Sequence, residues 1–147
     1  MSKVLSLGSF DILHRGHIAL FQACREIAGP PPQGIVVIAV DSDDYIMRHK
    51  QHAPVMGQDE RMALVTATRY VDTVVLNKGV AQDTLIKTVR PDIIVAGKDW
   101  ASRDYLAQLS ITEEWLTAQG ITVAYVQHEF SHSVTSSLLR ERLEDST

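Results

Sequence analysis

At 147 residues, with 45% apolar and 22% charged side chains, the chain is long enough to bury one core and too short for a second catalytic domain. Its 14 Lys and Arg against 18 Asp and Glu leave a net charge of -4, so there is no basic field for DNA or RNA and any phosphate site must be local. A lone cysteine, Cys24, excludes a disulfide framework or a cysteine-built zinc site and reads as a buried thiol. With no signal-like or membrane-length apolar run, the expectation is a cytoplasmic, soluble protein with neither membrane nor nucleic acid as partner.

Residues 3–7 read as a buried strand and 18–28 as an amphipathic helix. The stretch GPPPQG at 29–34 is a rigid connector, because prolines fix φ and remove amide donors. A strand follows at 35–40. After its helix comes a polar connector, 48–58, which contains Lys50; having few groups to bury, it is expected to be mobile without ligand. Further helices are predicted at 60–67, 85–89 and 105–118, further strands at 73–76, 93–96 and 121–126, and a frayed tail beyond Leu143. This alternation implies βαβ units: an α/β, Rossmann-like, doubly wound parallel sheet in a single domain, 1–147. Ligands of such sheets sit outside the carboxyl ends of the strands near the switch point, which directs attention to the strand ends at Gly8, Asp41 and Gly97.

The first strand runs into GSFDILHRGH at 8–17. Gly8 and Ser9 stand where backbone amides can approach phosphate oxygens before a helix. His14 and His17 flank Gly16, so both imidazoles can face a ligand above the strand end and stabilise charge on a polyphosphate, while the glycine permits close approach. A helical zinc pair would need i, i+4 spacing and a third ligand, and neither is evident. Asp99 and Trp100 follow the fourth strand; the indole can stack on a base, cover an acceptor or pack inside. Thr135, Ser136 and Ser137 precede a helix, where hydroxyls and amides suit a terminal phosphate or, more plainly, cap the helix. Arg61, near a helix start, is unfavourably placed unless it reaches an anion. No Ser-His-Asp or Cys-His arrangement occurs at usable spacing.

The string at 8–17 resembles the G-x-F-D-x-x-H-x-G-H signature of the cytidylyltransferase-like nucleotidyltransferases, matching at Gly8, Phe10, Asp11, His14, Gly16 and His17. ERMALVTATRYVD (60–72) is similar to that family's E-R…R-Y-V-D segment, GKDW (97–100) to its G-D-D-W, and SVTSSLLRERL (133–143) to its I-S-T-T-x-I helix start. The last two look most like glycerol-3-phosphate cytidylyltransferases, whereas KQHAPVMGQDERM (50–62) is equally similar to heptose-1-phosphate adenylyltransferases.

The resemblance implies an enzyme that joins a nucleoside triphosphate, CTP ahead of ATP, to a small phosphorylated polyol or sugar by direct in-line attack, releasing pyrophosphate. It implies Mg2+ carried on the nucleotide phosphates rather than by protein ligands, and a homodimer. His14, His17, Lys50 and Arg61 would be catalytic, the histidines on the α- and β-phosphates and the two cations closing over the triphosphate. Gly8, Ser9, Phe10, Gly16, Gly97, Asp99, Thr135, Ser136 and Ser137 would contact the nucleotide, and Asp11 and Trp100 the acceptor, with orientation of the site as Asp11's other role. Two departures stand out: EFSHSVTSS (129–137) lacks the arginine of the family's R-T-E-G-I-S-T-T, and Lys98 replaces an acid in GKDW. Alternatives are an ATP-dependent adenylyltransferase acting on a sugar phosphate and a non-catalytic nucleotide-binding regulatory module. Class I aminoacyl-tRNA synthetases share H-x-G-H but need tRNA-binding domains that this length does not hold.

Overall fold

The structure, a computed structural model, describes residues 2–99, 104–127 and 136–145, the side chains of 136 and 137 excepted. At its centre lies strand β1 (Lys3–Gly8), where Val4 and Leu5 are both fully buried. Consecutive side chains of a strand point to opposite faces, so two adjacent buried residues mean a sheet covered on both sides. Val4 joins one core with Phe21, Cys24, Val36, Ile38 and Val65; Leu5 joins the other with Val37, Ile86, Ile94 and Leu116.

The remaining strands of the described sheet are β2 (Ile35–Asp41), β3 (Thr73–Asn77), β4 (Ile93–Gly97) and β5 (Thr122–Val126), ordered β3-β2-β1-β4-β5 and parallel throughout. Helix α1 (Arg15–Ala28) carries the chain from β1 to β2; α2 (Asp43–Lys50) and α3 (Gln58–Thr66) lead to β3, and α4 (Gln82–Val89) to β4. Short helices α5 (Tyr105–Gln108) and α6 (Glu113–Gln119) precede β5, and α7 (Ser136–Asp145) follows it. The chain thus builds outward through β2 and β3, then returns past β1 to lay down β4 and β5. That reversal opens a crevice between the carboxyl ends of β1 and β4.

The α/β, doubly wound architecture is as expected, while several element bounds differ. The helix expected over 105–118 is two helices: Ser110 takes a left-handed φ of 59° and Thr112 restarts the helix, its hydroxyl accepting from Trp115 N at 3.1 Å. Helix α1 begins at Arg15 rather than 18 because His14 caps it. Lys50 closes α2 instead of lying in the connector. The 29–34 connector is pinned from outside, since the Arg25 guanidinium donates to Gly29 O at 3.1 Å and Gly34 O at 3.0 Å. Cys24 is a core thiol, its pKa pushed up to about 12 by burial. No described helix is long and apolar enough to cross a membrane.

Candidate active site

A cleft of about 510 Å³ opens over the carboxyl ends of β1, β2, β3 and β4. Of the residues singled out in the sequence, Gly8, Ser9, Phe10, Asp11, His17, Lys50, Gly97 and Asp99 line it. The turn leaving β1 is strained: Phe10 and Ile12 sit at φ 51° and 50°, a region that non-glycine side chains rarely adopt. This conformation folds the Phe10 ring back over Gly8, where a Cβ would come within 3.1 Å of Cζ, and sets it edge-on to His17. A side chain at position 8 would crowd the Phe10 ring, which would have to give by a few tenths of an ångström.

The two histidines form the N-terminal cap of α1. His14 Nδ1 accepts from Gly16 N at 3.1 Å, and His17 Nδ1 accepts from His14 N at 3.2 Å. Helix starts leave amides without intrahelical acceptors, and here imidazole nitrogens satisfy two of them. A neutral imidazole that accepts at Nδ1 carries its proton on Nε2, so the cap fixes the tautomer of both rings. Their centroids lie 3.9 Å apart, which presents the pair as one unit. Gly16 is buried in the same turn and is not part of the cleft wall.

Lys50 is exposed overall, yet its ammonium reaches back to donate to Ser9 Oγ at 3.2 Å. Burial of that end holds its pKa below the ordinary lysine value, with Asp41 and Asp11 pulling the other way. The connector that follows is better anchored than its composition implies. Asp11 accepts from Val55 N at 2.7 Å and Met56 N at 2.9 Å, and Arg140 of α7 bridges Asp11 Oδ2 and Ala53 O, each at 3.1 Å. The expectation of a segment with few holding contacts is thus corrected, and Asp11's side chain is one of the groups that hold it.

Arg61 departs furthest from expectation. Its side chain has no solvent exposure and is absent from the cleft wall. Nη1 donates to Ser9 O at 2.8 Å and Asp41 O at 2.7 Å, Nε to Met56 O at 2.8 Å, and Nη2 to Asp43 Oδ1 at 2.8 Å. The anion that compensates for its place near a helix start is Asp43, and the guanidinium braces three chain segments under the cleft instead of closing over a triphosphate.

Trp100 and Thr135 lie outside the described residues; Ser136 opens α7 and Ser137 follows, their side chains undescribed. The sequence reading missed Tyr45, His49, Asn77, Gln82 and Gln108, which also line the cleft. Asn77 ends β3 beside Asp41 of β2, so extending the strand-end rule to the third strand would have found it. Among the described residues, no three carboxylate, imidazole or thiol groups converge as a metal site.

Fold and site together define a polar cleft at the switch point of a doubly wound sheet, lined among the described residues by imidazole, carboxylate and amide groups and a lysine. The cytidylyltransferase-like family model matches residues 5–142, and the chain belongs to that family; it is a nucleotidyltransferase. An FAD synthase of Korarchaeum cryptofilum is 31% identical over 140 residues, covering 94% of this chain and 89% of that one. A second FAD synthase, from Methanopyrus kandleri, is 36% identical over 97 residues, covering 66% and 63%. The bifunctional protein HldE of Campylobacter fetus is 32% identical over 113 residues, which is 76% of this chain but only 24% of that protein. The crystal structure of a lipopolysaccharide core biosynthesis protein from Thermoplasma volcanium has the same fold, at TM-score 0.60 and 24% identity over 85% of this chain and 98% of that one.

Proposed function

We propose that this chain transfers an adenylyl group from ATP to the phosphate of a small phosphorylated acceptor and releases pyrophosphate. The observation that carries this reading is the capped histidine pair at the end of β1: both rings have Nδ1 engaged and the proton on Nε2, and His17, with His14 stacked on it, lines the cleft that Lys50 also reaches. An acceptor phosphate oxygen is already ionised, so attack on the α-phosphorus needs neither an enzyme nucleophile nor a base. It needs alignment, and donors where charge gathers on the departing pyrophosphate. The new bond joins the acceptor oxygen to the α-phosphorus as the bond to the bridging α–β oxygen breaks, its electron pair leaving with pyrophosphate.

In this scheme His17, with His14 packed against it, donates through Nε2–H to the α- and β-phosphates. The amides after Gly8 hold the phosphate chain, Gly97 and Asp99 lie toward the nucleoside, and the hydroxyls of Thr135, Ser136 and Ser137 take the terminal phosphate. Lys50 neutralises charge at the reacting phosphorus, and Trp100 is the acceptor contact that the family resemblance implies. The family resemblance implies a magnesium ion held by the nucleotide's own phosphates, which would supply charge neutralisation there when bound. Residues 1–147 act as one domain, with the homodimer that the family resemblance implies and the cytoplasmic location expected from the sequence.

Adenylyl is preferred over the cytidylyl group expected from the sequence because the similar FAD synthases make a product that contains an adenylyl group. CTP remains the second reading, on the likeness of GKDW to G-D-D-W. Pyrophosphate release from each nucleoside triphosphate, with and without phosphorylated alcohols, sugars and FMN, is the test. Acceptor-dependent release from ATP supports the proposal; release from CTP alone moves it to the second reading. Nucleotide binding with no release from any pair would make the chain a regulatory module.

A further inference from the structure

The cleft floor beneath Lys50 holds a carboxylate whose polar neighbours are arranged but do not satisfy it. Asp41 and Asn77 end adjacent strands in register, 7% and 1% exposed. Asn77 is locked: its Oδ1 accepts from Gly79 N at 3.0 Å and its Nδ2 donates to Gln82 Oε1 at 3.0 Å, while Gln82 Nε2 donates to Gln108 O at 3.1 Å. This leaves Asn77 Nδ2 only 3.2 Å from Asp41 Oδ1, and Ser9 Oγ reaches Oδ2 at 3.3 Å. Hydrogen bonds to an ionised group run shorter than those between neutral groups, and a carboxylate offers about four acceptor sites. Both protein bonds are long, and His49 Nε2 stands further off at 3.9 Å. Burial raises the Asp41 pKa from its ordinary 3.8 to about 6, against the opposing pull of Lys50, Ser9, Asn77 and Arg61.

We propose that Asp41, framed by Asn77, Gln82 and His49, is the subsite for the hydroxyl-bearing carbon chain of the phosphorylated acceptor, its carboxylate accepting hydrogen bonds from acceptor hydroxyls while Lys50 faces the phosphate. This rests on the nucleotidyl-transfer reading above. Neutral hydroxyls fit better than a cationic group, because Lys50 and Arg61 already bring positive charge to Asp41. The chemistry recognised is a polyhydroxyalkyl phosphate, whether a free polyol, a sugar or the ribityl chain of FMN.

The experiment is titration of acceptors into the enzyme with a non-hydrolysable nucleotide bound, alongside pyrophosphate release. The probes are glycerol 3-phosphate, ribitol 5-phosphate, glucose 1-phosphate, FMN, propyl phosphate and ethanolamine phosphate. At least one hydroxylated phosphate should bind about tenfold or more tighter than propyl phosphate, the order expected for hydrogen bonds to a charged group. Asp41→Asn should abolish that preference and leave nucleotide affinity unchanged, which also reports an intact fold; Asp41→Ser gives the same readout should the asparagine variant fold poorly. FMN binding more tightly than ribitol 5-phosphate, or the reverse, identifies the source of the chain. Propyl or ethanolamine phosphate binding as well as the hydroxylated probes, or a preference that survives in the variants, would overturn the assignment. Absence of pyrophosphate from every pair strikes the transfer reading alone; the subsite falls only when the titrations also lack the preference.

Discussion

Replacing Asp41 with Asn should stabilise the protein at neutral pH and change the pH dependence of its stability. The carboxyl faces Ser9 from the turn after β1, His49 and Lys50 from α2, Asn77 from β3 and Arg61 from α3. Burial is the largest influence and raises its pKa from 3.8 to about 6 against the pull of Lys50, Ser9, Asn77 and Arg61. Between those values the unfolded chain has released this proton while the folded chain retains it. The unfolded state therefore binds fewer protons, and stability falls as pH rises from about 4 to about 6, then levels off. A displacement of about two units at about 1.36 kcal/mol per unit gives a loss of about 3 kcal/mol. Asparagine cannot ionise, so the stability difference between Asp41→Asn and the parent should grow by up to that amount across the window. Loss of the attraction to Lys50 trims the gain. Urea unfolding of both proteins at steps from about pH 4 to about pH 8 reads the difference directly. A difference that stays flat with pH, or a variant that loses ground as pH rises, would refute the reasoning.

Arg61→Met should cost at least about 1–3 kcal/mol in urea unfolding, the penalty of a buried acceptor left without its donor, because it strips donors from the carbonyls of Ser9, Asp41 and Met56; normal stability with weakened nucleotide binding would instead return Arg61 to the substrate. His17→Ala should lower kcat by about 10²–10³ with little change in nucleotide KM, the size seen for a donor that acts mainly in the transition state, and an unchanged kcat would remove it from the mechanism. Lys50→Ala should lower turnover by more than it raises the nucleotide Kd, with Lys50→Arg recovering only part because a planar fork does not reproduce a compact ammonium. Normal turnover in Lys50→Ala would make that lysine a solvated surface residue.

The sheet was legible because burial on both faces demands continuous apolar, β-branched runs, and Ile35–Asp41 reads that way without any long-range information. The histidine cap was half legible: spacing around Gly16 drew attention to the pair, while the exchange of Nδ1 bonds with the amides of Gly16 and His14 depends on where α1 starts. Arg61 was misread because its partners lie 5, 18, 20 and 52 residues away in sequence, and no local rule brings Ser9 and Asp41 beneath one guanidinium. The connector after Lys50 was misjudged likewise, since its anchors, Asp11 and Arg140, come from opposite ends of the chain. Polar composition reported the connector's solvent exposure and could not report the two bonds to a carboxylate that hold it.

The central claim, that the cleft aligns two phosphates and lets one attack the other directly, is tested most directly by the stereochemical course at the α-phosphorus. With a chiral α-phosphorothioate nucleotide as donor, one in-line displacement inverts the configuration, and inversion is the result predicted here. Retention requires two displacements through a covalent nucleotidyl-enzyme, hence a nucleophile on this chain, and would contradict the account.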